Sequence, residues 1–195
     1  SSHYLIKNNG EILTLVPDLF IAWHAGKSYW KNFKFLNRHS IGIEISNPGH
    51  QFNYKKFSEK QIKSVLKLTK YLKSKYNINS KNILGHSDIA PSRKKDPGEK
   101  FPWQYFAKRK IGIWHSLSEK ILKKNRSKSA NSKMEKFFFK NISKIGYKIK
   151  NPTNIKDKKY LYLLVKAFQR RFRQELVNGK IDKECFLISE NLTKN

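Results

Sequence analysis

At 195 residues the chain has room for one moderate domain and a small second one. Apolar residues make up only 38%, yet 13 Phe, 9 Tyr and 4 Trp supply bulky core material and exclude a wholly disordered chain. Against 14 Asp and Glu stand 42 Lys and Arg, a formal charge of +28 that would attract nucleic acid, anionic membrane or anionic cell-wall polymer. The lysines are spread along the whole chain, so compositional drift towards Lys accounts for the balance equally well. The single cysteine, Cys185, excludes an internal disulfide and a thiolate zinc cluster. No apolar run approaches the ~18 residues that a membrane-spanning helix needs. The chain opens without Met, directly on the strand-like Tyr4-Leu5-Ile6, so an export signal ahead of Ser1 is compatible with what is seen.

In chain order, residues 4–16 read as a hairpin: Tyr4-Leu5-Ile6 and Ile12-Leu13-Thr14-Leu15-Val16 flank Asn9-Gly10, a dipeptide suited to the positive φ angles of a tight turn. Ser40-Ile41-Gly42-Ile43-Glu44-Ile45-Ser46 alternates as a strand, with the three isoleucines on one face and Gly42, Glu44 and Ser46 on the other. Residues 58–76 predict a helix opened by a Ser58/Gln61 capping box, with Ile62, Val65, Leu66, Leu72 and Tyr76 on its apolar stripe. A short strand is expected over Asn82-Ile83-Leu84-Gly85, ending at His86, followed by a loop stiffened by Pro91, Pro97, Gly98 and Pro102. This order indicates a mixed α/β domain over residues 1–117. Residues 118–133 read as a polar linker, and 134–146, 159–173 and 182–192 as three short helices of a separate module over 134–195. Leu161, Leu164, Val165, Phe168 and Phe172 form the stripe of the middle helix.

The stretch from Gly85 to Gly98 carries the chemistry. A His at a strand end and an Asp ten residues later, across a proline-fixed loop, could converge on one cation, because zinc accepts neutral imidazole and carboxylate. By residue pattern alone, Asp96 before Pro97 is more simply an ordinary turn residue, Glu44 an exposed strand carboxylate, and Lys94 one lysine among many.

Five motifs in order extend the pattern: Ser2-His3-Tyr4-Leu5-Ile6, then Leu15-Val16-Pro17, then Ala22-Trp23-His24-Ala25-Gly26, then Ser40 to Glu44, and finally Asp96-Pro97-Gly98 with Phe101-Pro102-Trp103. With these, residues 1 to about 115 resemble the amidase-2 family of N-acetylmuramoyl-L-alanine amidases, in its two-domain AmiD-like branch. The resemblance implies a mixed β-sheet flanked by helices, like that of peptidoglycan-recognition proteins. It implies Zn2+ as cofactor, with His86 and Asp96 as ligands, and catalytic roles for Glu44, acting on the metal-bound water, and Lys94, beside the metal. Trp23, His24 and Ala25 match the substrate-cleft loop, although Trp23 could instead be a buried aromatic supporting the fold. The family's first zinc ligand is a His on an earlier strand, so a third ligand is expected upstream of Ser1, this chain is read as the downstream portion of a longer enzyme, and a sheet edge is expected to lack its neighbour. His3 matches a family position that is not a ligand, and His39, His50 and His115 are expected at the surface. Phe35 stands where close relatives often carry Arg near the substrate carboxylate.

Ala167-Phe168-Gln169-Arg170-Arg171-Phe172 followed by Asn178-Gly179 resembles a three-helix peptidoglycan-binding domain, with Cys185 where that family usually has Thr. The expected partner is peptidoglycan or muropeptides, with no specific nucleic acid and no transmembrane segment. A monomer is expected, with a dimer as the alternative, in the periplasm or cell envelope, with the cytoplasm as the alternative. Two other functions stand beside the amidase: a non-catalytic peptidoglycan-binding module without a complete zinc site, and a nucleic-acid binder suggested by charge alone.

Overall fold

The computed structural model describes residues 1–150 and 155–194. Its elements in order are β1 (Tyr4–Ile6), β2 (Ile12–Thr14), β3 (Tyr29–Trp30), β4 (Phe33–Lys34), β5 (Ile43–Ile45), α1 (Glu59–Lys75), α2 (His86–Ile89), α3 (Trp103–Ala107), α4 (Glu119–Asn125), α5 (Ser132–Ile145), α6 (Ile155–Phe172) and α7 (Lys183–Lys194). Single 3-10 turns occupy Leu36–Arg38 and Ser80–Asn82.

The principal sheet is mixed. In it β1 pairs antiparallel with β2, setting Leu5 opposite Leu13, and parallel with β5, setting Leu5 opposite Glu44. The strand order β2-β1-β5 leaves the outer edge of β5 without a ladder partner among the described residues. Gly10, at φ +87°, closes the hairpin where a side chain would meet the Lys60 backbone. Ile41, Ile43 and Ile45 pack towards the core that Tyr4 and Ile6 form with Val65, Leu68 and Leu72 of α1. Glu44, on the alternate face, is exposed. Helix α1 has the expected capping box: Ser58 Oγ accepts from the Gln61 N–H and Gln61 Oε1 accepts from the Ser58 N–H.

Residues 82–85 depart from expectation. Asn82 closes a 3-10 turn and Ile83 and Gly85 are extended, but among the described residues no strand pairs with them, so this segment is not a strand. Its backbone is held by a side chain instead, since Arg171 Nη2 donates to the Ile83 carbonyl at 2.8 Å. His86 then opens the one-turn helix α2 and does not end a strand.

The C-terminal helices form at nearly the expected positions, with Leu164, Val165, Phe168 and Phe172 of α6 fully buried. They do not pack only among themselves: one apolar cluster joins them to Ala25, Trp30 and Leu36 of the N-terminal half. Trp30 stacks edge-on against Tyr147, with ring centres 5.0 Å apart. Gly146, at φ +139°, has no room for a Cβ, which would sit 2.5 Å from the Trp30 ring. Residues 118–133, expected as a linker, carry α4 and are tied to α7: Arg126 makes two hydrogen bonds to the fully buried Glu184, and the Lys128 carbonyl accepts from the Lys183 N–H. Gln169 organises the turn after α6, its Oε1 accepting the N–H groups of both Asn178 and Gly179. Arg173, fully buried, pairs with Asp182 in the same layer. Cys185 is buried, and burial raises its thiol pKa to about 12.

Candidate active site

The cleft is built from two loops. The first, residues 22–27, crosses the polar face of β5. A Cβ on Gly42 would lie 2.4 Å from the His24 ring, so only glycine at this position allows the loop to lie so close to the strand. Since Gly42 and Glu44 share a face of β5, His24 and Glu44 lie on the same side of the sheet. His3 supports the arrangement from below: its Nδ1 accepts from the Gly42 N–H at 3.0 Å, so its Nε2 carries the proton and donates to the Phe20 carbonyl. With both ring nitrogens used and 1% of its surface exposed, His3 is structural.

His24 faces the Ala22 carbonyl through Nδ1 and Ser40 Oγ through Nε2. Burial, with the neighbouring His3 and His86, lowers its pKa and favours the neutral ring. Ala25 is buried, whereas Trp23 is 73% exposed, which removes the alternative of a core aromatic. Phe35 is also exposed, in a left-handed conformation with φ 54°.

The second loop runs from Gly85 to Phe101. Within it His86 Nδ1 lies 3.0 Å from Asp96 Oδ2, and His86 Nε2 lies 3.3 Å from the Ala25 carbonyl, so the two expected ligands meet at the first loop. Both partners of His86 are acceptors. The Nδ1–H donates to the carboxylate, and with that proton displaced the same imidazole nitrogen and carboxylate oxygen are donor types that zinc accepts. Among the described residues no group of three His, Cys, Asp or Glu that could hold a metal occurs. Partial burial raises the Asp96 pKa, but hydrogen bonding and charge from His86, with Lys94 nearby, outweigh it and hold the carboxyl below its usual range.

Two contributors escaped the sequence reading. Arg93 spans the two loops, its Nη2 donating to the carbonyls of Ala25 and Lys27 at 2.9 Å each. Asn37 accepts the N–H groups of His24 and Ala25 on a single Oδ1. Arg93 lies inside the Gly85–Gly98 stretch and could have been flagged there, whereas no local pattern marks Asn37. Of the other histidines, His39 and His50 are exposed as expected, but His115 is 8% exposed, packed against Trp114 near α6 and α7. Its position in an apolar run, Ile111 to Leu117, was the missed signal.

The structure thus joins a mixed sheet with an exposed strand glutamate to a loop-borne imidazole–carboxylate pair, the build of an amidase-like α/β protein. A family model described as N-acetylmuramoyl-L-alanine amidase matches residues 1–99. The amidase AmiD of Escherichia coli is 34% identical over 205 residues, covering 98% of this chain and 73% of the relative. An anhydro-N-acetylmuramyl-L-alanine amidase, AmpD, from Enterobacter cloacae is 38% identical over 106 residues, 54% of each protein. Among solved structures, AmiD bound to anhydro-N-acetylmuramic acid-L-Ala-D-γ-Glu-L-Lys superposes with a TM-score of 0.87, covering 100% of this chain and 79% of that one. AmpDh3 of Pseudomonas aeruginosa superposes with a TM-score of 0.83 at 30% identity, covering 100% of this chain and 82% of that one. The chain belongs to the Amidase_2 family of N-acetylmuramoyl-L-alanine amidases.

Proposed function

We propose that the chain serves a zinc-dependent hydrolysis of the amide joining the lactyl group of N-acetylmuramic acid to L-alanine, in peptidoglycan or in released muropeptides. The observation that carries this reading is the approach of His86 Nδ1 to Asp96 Oδ2 at 3.0 Å, beside His24 and on the side of the sheet to which Glu44 points. His86 and Asp96 would hold the metal, which when bound polarises the scissile carbonyl and acidifies water. Glu44 takes the proton from the attacking water and returns it to the departing alanine amine. Lys94 offsets the negative charge that develops on the carbonyl oxygen. The exposed Trp23 gives the sugar a flat apolar surface, while His24 and Ala25 line the approach of the lactyl–peptide junction. The C-terminal helices would hold the enzyme on its polymer and raise the local substrate concentration. The cell envelope is the compartment that suits such a substrate; among the described residues no helix is long and apolar enough to cross a membrane.

The test is release of free stem peptide from purified muropeptides and from sacculi, measured with added zinc and then with a chelator. Zinc-dependent release that disappears on chelation is expected. Binding to sacculi without release under any metal condition would overturn the hydrolase and leave the non-catalytic binding module.

A further inference from the structure

Asp88 lies two positions after His86 and faces the opposite way, into the protein, with 1% of its side chain exposed. Its carboxylate is nearly saturated. Oδ2 accepts from the Gly85 N–H at 2.7 Å and from Arg171 Nη1 at 2.5 Å, and Oδ1 accepts from the Tyr147 hydroxyl at 2.5 Å. Arg171 belongs to α6 and Tyr147 follows α5, so two of these three donors come from the C-terminal helices. The other arm of Arg171 holds the Ile83 carbonyl, and its guanidinium lies 4.2 Å above the Trp103 ring. The far end of the same loop is gripped by neighbouring residues: Gln174 Nε2 donates to the Phe101 carbonyl at 2.7 Å, and Arg170 Nε approaches Glu99 at 3.8 Å. The segment bearing His86 and Asp96 is thus fastened at both ends by α6 and the residues that follow it.

A buried ion pair contributes little net stability compared with apolar packing of the same volume, because desolvation offsets the attraction. Its geometric restriction is another matter. A guanidinium donating to Asp88 and Ile83 at once, with a phenol fixing the second carboxylate oxygen, permits one orientation of the α2 turn. His86 leads that turn, and its Nδ1 must face Asp96 while Nε2 faces Ala25. Groups behind a ligand that lock its direction commonly govern function as much as the ligand itself.

We propose that Arg171 and Tyr147 are positioning residues for the hydrolysis: acting through Asp88, the C-terminal helices set the direction of His86 towards Asp96, in addition to any hold they take on the polymer. The inference rests on the proposed amidase reading for its effect on rate, but its structural half can be measured without turnover.

The experiment uses the full chain with Arg171→Lys and, separately, Tyr147→Phe. Lysine keeps the charge but cannot reach Asp88 and Ile83 together, and Tyr147→Phe removes one donor with little change of shape. Backbone hydrogen exchange is followed residue by residue, alongside kcat and KM for muropeptide hydrolysis. In both variants the amides of the 85–98 segment, Ser87 above all because it donates to the Asp96 carbonyl, are expected to exchange faster while those of α5 and α7 keep their protection. The expected loss in kcat is roughly 10–100-fold, with KM within about twofold of the parent. Unchanged exchange at 85–98 overturns the proposal. So does faster exchange spread evenly through α5, α6 and α7, which would mean that the two residues merely hold the helices together. If the parent chain releases no stem peptide, the amidase reading fails, and the exchange pattern still decides whether the helices orient the loop.

Discussion

The His86–Asp96 pair and the Asp88–Arg171 pair behind it each take one member from the α2 turn and have opposite surroundings. His86 and Asp96 approach to 3.0 Å with 59% of the Asp96 side chain open to solvent, whereas Arg171 and Asp88 close to 2.5 Å with 3% and 1% exposed. The first pair is joined by a single hydrogen bond and its surroundings are accessible, as the proposed entry of a cation, water and substrate would require. The second is buried, with three donors on the Asp88 carboxylate, so it can hold a direction. The same division runs through the molecule. The N-terminal half spends its polar groups on loops over a three-stranded sheet, and the C-terminal half buries Arg173 with Asp182, Arg126 with Glu184, and Gln169 within its own turn.

Glu44→Gln gives the sharpest separation of the two. Its side chain is exposed on β5, so the thermal midpoint should stay within about 2 °C of the parent, given that surface changes rarely exceed ~0.5 kcal/mol. Stem-peptide release should fall by roughly 100- to 10,000-fold, the range for loss of a general acid–base group. A variant that retains full activity would remove Glu44 from the mechanism.

Phe168→Ala attacks the other side. Phe168 is fully buried in contact with Phe138 and Phe172, and its truncation should cost about 3–5 kcal/mol, read from the denaturant midpoint. Activity measured well below the new unfolding midpoint should also drop if the helices orient the ligand loop, and should persist if they only tether. Gln169→Ala should cost about 1–3 kcal/mol, because the Asn178 and Gly179 N–H groups lose their shared acceptor. Its effect should be confined to stability, as Gln169 has no contact with the 85–101 loop among its hydrogen bonds.

What the sequence disclosed follows the range of the forces involved. The hairpin at Asn9-Gly10, the box at Ser58 and Gln61, the alternation around Glu44 and the stripe of α6 are all written in residues a few positions apart, and each is present in the fold. Residues 82–85 read as a strand because Ile83 and Leu84 are apolar and extended, but extension becomes a strand only when a neighbour offers a ladder, and here Arg171, 88 positions away, takes the Ile83 carbonyl. The separate C-terminal module was expected for the same reason. Nothing local records that Trp30 fills the space above Gly146 or that Asp88 is claimed by Tyr147. The motif stretch put forward His86, Lys94 and Asp96 as candidates through resemblance alone, while Asn37 and Arg171 make their hydrogen bonds at sequence distances that no periodicity encodes.

The smallest expected effect tests whether the sheet region has any geometric control of its own. Ser58 Oγ accepts the Gln61 N–H at 3.1 Å and donates to the Asn8 carbonyl at 2.9 Å, joining the start of α1 to the β1–β2 turn. Ser58→Ala should cost about 1 kcal/mol, seen as a lower urea midpoint with an unchanged slope. Gln61 Nε2 would still donate to the Ser46 carbonyl at 2.7 Å, two residues beyond Glu44, so the end of β5 keeps its anchor and kcat should stay within about twofold of the parent. A kcat that falls while the urea midpoint holds would mean that the cap aims β5, and that the sheet half governs the direction of Glu44 much as the helices govern that of His86.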